Sequence, residues 1–436
     1  MKLKLLLLAS VLFSMCYSCD EKASQPEKPE EIKGIVYDET GCVYTSYDKL
    51  VMAGYQGWFA AEGDDSQRGW YHYKGDCGFS PGCTSVDFWP DMTEYTKKYK
   101  APFQLQDESP AHLYSPYDEE SVDLHFKWMK EYGIDGVFLQ RFVVEIKSTN
   151  EKGRRHFNKV LEHALKAAKK YNRAISIMYD LSGCTSEDVA YVEQDWKDLQ
   201  TAFSLFDNIK HPTYVRHNGK PLLAIWGVGF NDNRRYTIAD AQTLINRIKG
   251  PEKRIAVLLG VPYYWRTFGN DTEKSDLLHD VIRSCDIVMP WAVGRYNGNS
   301  YSNIAAAALA GDMVWCVQNK IDYVPGVFPG FSWGNLKKDP TQYNSIPRDK
   351  GNFLWQQIAG AKLAGAKSLY VCMFDEIDEG TAIFKCAKEG DVPLNGSGKF
   401  IGIESGLDSD YYLWLTGQGG KWFHGEGTWS AVKPVR

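Results

Sequence analysis

Four carboxylates fall within five residues, at Asp375, Glu376, Asp378 and Glu379. They close an apolar run from Ser368 to Phe374 (SLYVCMF) that reads as a buried strand. Like charges crowded at a strand tip repel one another and lose water, so such a cluster is costly. Chains that keep one use it for acid/base chemistry or to hold a cation. Glycoside hydrolysis needs two carboxyl groups in different protonation states flanking one bond, and Glu376 and Glu379 are the candidate pair. In a continued strand two residues three apart point to opposite faces. A turn at Gly380 lets both face one cavity, where their repulsion raises one pKa and leaves an acid beside a base. Asp375 and Asp378 are expected to orient neighbours or to pair with Arg295 or Arg348.

The elements that must position this pair repeat along most of the chain. Apolar runs at 50–59, 135–142, 174–183, 221–230, 254–265, 286–296, 322–333 and 368–380 have the length and β-branched or aromatic content of strands buried on both faces. Helical stretches lie between them, among them Glu119–Tyr132, Lys152–Tyr171, Ser186–Phe206, Ile238–Lys249, Lys274–Arg283 and Gly351–Ala364. Parallel strands need crossovers of this kind. Eight strands with interleaved helices predict an α/β fold, a single (β/α)8 TIM barrel with elaborated βα loops. The Gly-, Asp- and aromatic-rich residues from about 60 to 120 exceed an ordinary βα loop and are read as cover for the active face. A helix over Asp408–Thr416 would be the last of the barrel.

In such a barrel the chemistry sits at the C-terminal ends of the strands. Those ends carry Gln56, Trp58, Arg141, Asp180, Trp226, Trp265, Trp291, Arg295, Trp333 and Asn335 ahead of the acids. Five of the 14 tryptophans are in this set, beside polar groups, which suits stacking on the apolar face of a sugar. Trp58, Trp226, Trp265, Trp291 and Trp333 are therefore candidate stacking walls. Gln56, Arg141, Asp180, Arg295 and Asn335 are candidates to read hydroxyls.

The net charge of −5 gives no reason to expect nucleic acid as a partner. Residues 1–19 read as a signal segment: Lys2 and Lys4, then an apolar core from Leu5 to Phe13 too short to span a bilayer. Ser18 before Cys19 looks like a bacterial lipoprotein signal with Cys19 lipidated. The polar, Pro-rich stretch that follows is a tether, assigned to 20–45, and the catalytic domain to 46–436. The expected place is the cell envelope, on the outer-membrane surface or in the periplasm, with membrane contact only through the lipid. Cysteines after Cys19 are scattered without a CxxC pair, which argues against zinc; Cys77 and Cys83 flank a turn that could carry a disulfide. No cofactor and no metal are expected.

GFSWG at 330–334 matches the GxSxG of serine hydrolases, but it follows Pro329 and precedes a polar loop, not the strand–turn–helix that motif needs. The nine histidines lie mostly in loops and helices, with no HxH or HExxH. Calcium between Asp180 and the last acids stays open. A non-catalytic cell-surface glycan-binding lipoprotein is the non-enzyme alternative; a pure binder would not need the glutamate pair.

Asp375-Glu-Ile-Asp-Glu-Gly-Thr-Ala-Ile-Phe384 resembles the Asn-Glu-Trp-His-Glu-Gly-Thr-Gln-Ile-Glu motif of glycoside hydrolase family 99, the endo-α-mannosidases and endo-α-mannanases. The related family 71 α-1,3-glucanases also end a barrel strand with two acids three apart. GYQGWF (54–59), DFWPDM (87–92), MYDLSG (178–183), AIWGVGF (224–230), FPGFSW (328–333) and FDEIDEGTAIF (374–384) together resemble bacterial family 71/99-like proteins over roughly residues 50–385. The resemblance implies an α-linked glycan substrate, α-mannan or a related polysaccharide, cleaved with retention through a 1,2-anhydro sugar. It implies Glu376 as the base toward the sugar 2-hydroxyl and Glu379 as the general acid/base on the leaving oxygen. Ile377, Asp378 and Ala382 depart from the motif's Trp, His and Gln.

Overall fold

A computed structural model describes residues 39–436. The signal segment, Cys19 and the tether as far as residue 38 lie outside the described residues. Residues 39–45, assigned above to the tether, are bonded to the barrel base: Val43 N–H donates to Pro212 O at 2.7 Å and Asn208 Nδ2 to Thr40 O at 2.8 Å.

The barrel strands are β1 (Val51–Tyr55), β2 (Gly136–Phe142), β3 (Ala174–Asp180), β4 (Lys220–Trp226), β5 (Ala256–Val261), β6 (Ile287–Pro290), a broken β7 (Asp322–Tyr323 and Gly326–Val327) and β8 (Leu369–Val371). Neighbours pair in parallel in chain order from β1 to the first piece of β7, and β8 pairs with β1 through Val51↔Leu369. The second piece of β7 pairs with β8. Pro325, which has no N–H to give, stands at the break. Val324 N–H still reaches Val288 O at 3.0 Å, and Pro325 O accepts from Tyr370 N–H at 3.1 Å. The ring therefore closes, as the eight runs predict.

Alternation along the strands divides the core in two. Met52, Phe138, Met178, Ala224, Leu258, Met289 and Tyr370 fill the barrel interior. Val51, Val137, Ile177, Leu223, Val257 and Leu369 belong to the outer layer under the helices. Glu119–Tyr132 and Ile238–Lys249 form as the periodicity predicts, and the other expected helices form within a few residues of it.

Two helices differ from expectation. Tyr301–Asn319 fills the interval between β6 and β7. Its AAAALAG run and exposed Val314 and Val317 leave no polar stripe by which an amphipathic pattern could reveal it. The last helix runs Tyr411–His424, past the expected Thr416. Gly417, Gly419 and Gly420 read as helix breakers, yet they are contact points. A Cβ on Gly417 would lie 1.7 Å from Tyr132 O, so only glycine lets this helix approach the end of Glu119–Tyr132.

The long segment after β1 contains an antiparallel hairpin, Tyr99–Gln104 with Pro110–Leu113, and a Cys77–Cys83 disulfide. Its residues return to the mouth of the barrel beside the strand ends.

Candidate active site

Past β8 the chain turns sharply, and three other segments hold the turn. Asp375 accepts the backbone N–H groups of Gln56 (2.7 Å) and Gly57 (3.0 Å), which ties the turn to the end of β1. Ile377 O accepts from Asp87 N–H and Phe88 N–H, and Ser332 N–H donates to Glu379 O at 2.9 Å. Gly380 has φ 65°, and a Cβ there would lie 2.9 Å from Ser332 N. The turn expected at this glycine is left-handed, and it is also a close approach that a larger residue would block.

Asp87 is the anchor of this arrangement. Its carboxylate accepts Gly334 N–H (2.7 Å), Asn335 N–H (2.8 Å) and the Ser332 hydroxyl. Ser332 Oγ also accepts from Asn344 N–H at 2.8 Å. The serine of GFSWG is fully buried and serves to fix a loop.

Glu376 is 5% exposed and accepts from Gln56 Nε2 and Thr381 Oγ1, each at 2.6 Å. Burial raises its pKa well above the usual carboxyl range, and the charges of Glu379 and Asp378 push it further. Glu379 is half-buried; burial and Asp378 push it up to about 7 against the opposing Lys337 ammonium. Burial also lifts Asp375 and Asp378 to about 7. Interacting groups of this kind release their protons as a set rather than one residue at a time. The arginines expected to neutralise the cluster do not: Arg295 pairs with Asp271 at 2.6 Å, and Arg348 donates to the backbone carbonyls of Gly380 and Ala382. Among the described residues no group of three or more His, Cys, Asp or Glu side chains is arranged to hold a metal ion.

The other expected residues divide by strand parity. Asp180 and Trp226 end β3 and β4 at inward positions, and Gln56 and Trp291 continue the inward parity of β1 and β6 one residue past their ends. Trp226 packs on Trp291 (ring centroids 5.2 Å apart), and Gly260 leaves the space its ring occupies. Trp58 stacks on His72 at 3.9 Å with the rings 5° from parallel, and it also packs on Phe142 with ring centroids 4.8 Å apart. Trp333 is half-buried against Phe331, its Nε1 bonded to Gln342.

Four of the expected residues are engaged elsewhere. Arg141 lies on the outward face of β2, where its guanidinium grips both oxygens of buried Asp195 (2.6 and 2.7 Å). Trp265 is fully buried against Trp315 of the helix Tyr301–Asn319 and presents no face to a ligand. Asn335 is consumed by Val86 O, Lys399 O and the Tyr343 hydroxyl. Arg295 spends Nε on Asp271 Oδ2 and Nη1 on Val293 O.

Sequence reasoning passed over His72 and Asp87, which arrive from the long segment after β1. Only the DFWPDM motif marks Asp87, and His72 carries no motif. Five buried polar atoms from the strand ends and the turn have no hydrogen-bond partner: Gln56 Oε1, Trp58 Nε1, Gln140 Oε1, Trp226 Nε1 and Asp378 Oδ1. Buried polar atoms are rarely left so, and hydroxyl groups or water would satisfy these.

No family model and no curated protein matches the chain. Solved structures do. A family 99 endo-α-mannosidase from Bacteroides thetaiotaomicron, in complex with bis-tris-propane, superposes with a TM-score of 0.62 at 15% identity, covering 87% of this chain and 98% of that one. A second structure of a family 99 endo-α-mannosidase from that organism gives 0.62 at 14% identity, covering 87% and 99%. The likeness is one of fold, and the chain has a family 99-like barrel.

Proposed function

We propose that the chain is a glycoside hydrolase acting on an α-linked glycan, with Glu376 and Glu379 as its working pair. The observation that carries this reading is the pair itself: one buried and one half-buried carboxyl, interacting and without an arginine partner, at the C-terminal mouth of a parallel barrel. Such a pair can hold one proton between its members, which is the state acid/base cleavage needs. The roles follow the resemblance: Glu379, the more exposed, protonates the leaving oxygen, and Glu376 draws the proton from the 2-hydroxyl. Cleavage would then retain the anomeric configuration through a 1,2-anhydro sugar. The half-buried Trp58, Trp226, Trp291 and Trp333 supply stacking faces, and the unpartnered polar atoms supply seats for hydroxyls. Because the similar solved structures are of an endo-α-mannosidase, α-mannan is the first substrate to try. The lipid anchor at Cys19 belongs to the same proposal, and the mass of the mature N-terminus tests it.

A product screen tests the function. Wild type and Glu379→Gln are incubated with α-mannans, α-1,3-glucans and arabinose- and xylose-containing polymers, and products are read by chromatography with mass detection. Products from wild type alone support the reading. Glycan binding without products from either moves it to the binding-protein alternative.

The raised pKa values give the pH dependence a sign. At low pH both glutamates are protonated and no base is present. The first proton leaves the set at about 7, where Glu379 and Asp378 titrate while Glu376 holds on longer; the one-proton pair then formed includes, as its minor arrangement, the working one with Glu376 ionised and Glu379 protonated. Expected kcat/KM is therefore small at acid pH and rises through about 7. A profile that instead peaks in acid and falls through neutrality contradicts the shared-proton state.

A further inference from the structure

Between the two glutamates stands a third carboxyl. Asp378 is 4% exposed, and its two oxygens are in different situations. Oδ2 lies 3.6 Å from His72 Nδ1. Oδ1 has no hydrogen-bond partner. The His72 ring is fixed from the other side by its parallel stack on Trp58 at 3.9 Å. Burial pushes His72 down, to about 3, so the ring is neutral and brings no charge to cancel that of Asp378. We propose that Asp378 is a positioning residue for the paired-glutamate chemistry: its buried carboxyl, set beside the Trp58–His72 stack with no cation against it, holds the exchangeable proton on Glu379. The inference rests on the reading of those two glutamates as the working pair.

The surroundings leave Asp378 as the dominant partner. Asp375, Glu376 and Glu379 share its turn. His72 and Tyr73 face it from the segment after β1, the first neutral and the second held protonated by burial. Among the described residues, Lys337, after β7, is the cation that opposes the raised pKa of Glu379, and it is exposed to solvent. After burial, Asp378 is the largest influence holding the proton on Glu379, and it acts on Glu376 in the same direction. In the resembling motif this position is histidine, so the carboxyl is a feature of this chain. It also makes the site hostile to a carboxylate or sulfate on the sugar, since an anion would meet a third acid there.

The test needs no substrate. The Glu379 side-chain carboxyl, assigned through Glu379→Gln, is followed by carbon-13 NMR across the acid-to-alkaline range in wild type and Asp378→Asn. The expected midpoint is near about 7 in wild type and lower by about one unit or more in the variant. Asp378→Ser, which removes the charge with a smaller side chain, is expected to move it the same way and serves if the asparagine variant folds poorly. With a cleaved glycan in hand, the acid limb of kcat/KM moves to lower pH by a matching amount. A midpoint unmoved in both variants overturns the inference, as does an acid limb that stays in place while kcat falls. A shifted midpoint in a protein that cleaves no glycan keeps the coupling and removes the hydrolase reading. An unmoved midpoint in an active enzyme removes this inference alone.

Discussion

Glu379→Gln is expected to lower kcat/KM on the cleaved glycan by about 10²–10⁴-fold, the range lost with a positioned proton donor. The substitution keeps the shape of the side chain, and the backbone carbonyl of residue 379 stays pinned by Ser332 N–H. An amide cannot hand a proton to the leaving oxygen, so the loss should fall on kcat while glycan binding persists. Stability should not fall with it, and here the sign can be worked out. The folded-state pKa of Glu379, about 7, lies above the ordinary carboxyl value. Its contribution to stability is complete below the unfolded pKa and is lost as pH rises through about 7. Glutamine has no such loss, so above neutral pH the variant should unfold no earlier than wild type in a thermal melt. Activity close to wild type would remove Glu379 from the acid role. Inactivity joined to early unfolding would mean that the residue holds the turn together rather than moving a proton.

How far the sequence reached can be seen residue by residue. The eight runs and their helices carry the barrel because strands buried on both faces and amphipathic crossovers leave strong local patterns. The helix Tyr301–Asn319 left none, since its alanines and outward valines have no polar side. The glutamate pair was legible because acids at the end of an apolar strand are conspicuous. What supports the pair was not. Asp87 and His72 come from a segment whose path follows tertiary contacts, and no spacing rule connects them to residues 375–379. Trp265 shows the opposite failure. It follows β5 by a few residues and reads as a rim tryptophan, but the chain folds back and buries it under a helix that had not been identified.

Arg141→Met is the second change with a large expected effect, and that effect is on stability. Reading strand ends without their parity put Arg141 in the sugar site. Gln140 and Phe142 share the inward parity of β2, and the residue between them must face the helices. There Arg141 Nε and Nη2 bond the two oxygens of Asp195, and Nη2 also reaches Asn158 Oδ1 at 2.8 Å. Both side chains of the ion pair are 3% exposed. Tyr179 donates its hydroxyl to Asp195 Oδ2 at 2.7 Å, so removing the arginine leaves a buried carboxylate with one neutral donor. Breaking one side of such a pair costs about 3–5 kcal/mol, because the remaining charge is uncompensated. Replacing both partners by apolar residues of similar volume avoids that cost, so Arg141→Met with Asp195→Leu should recover much of the loss. Chemical denaturation of the wild type, the two single variants and the double variant measures this coupling directly. If Arg141→Met instead unfolds like wild type and weakens glycan binding, the guanidinium belongs to the site after all, and the parity argument fails at β2.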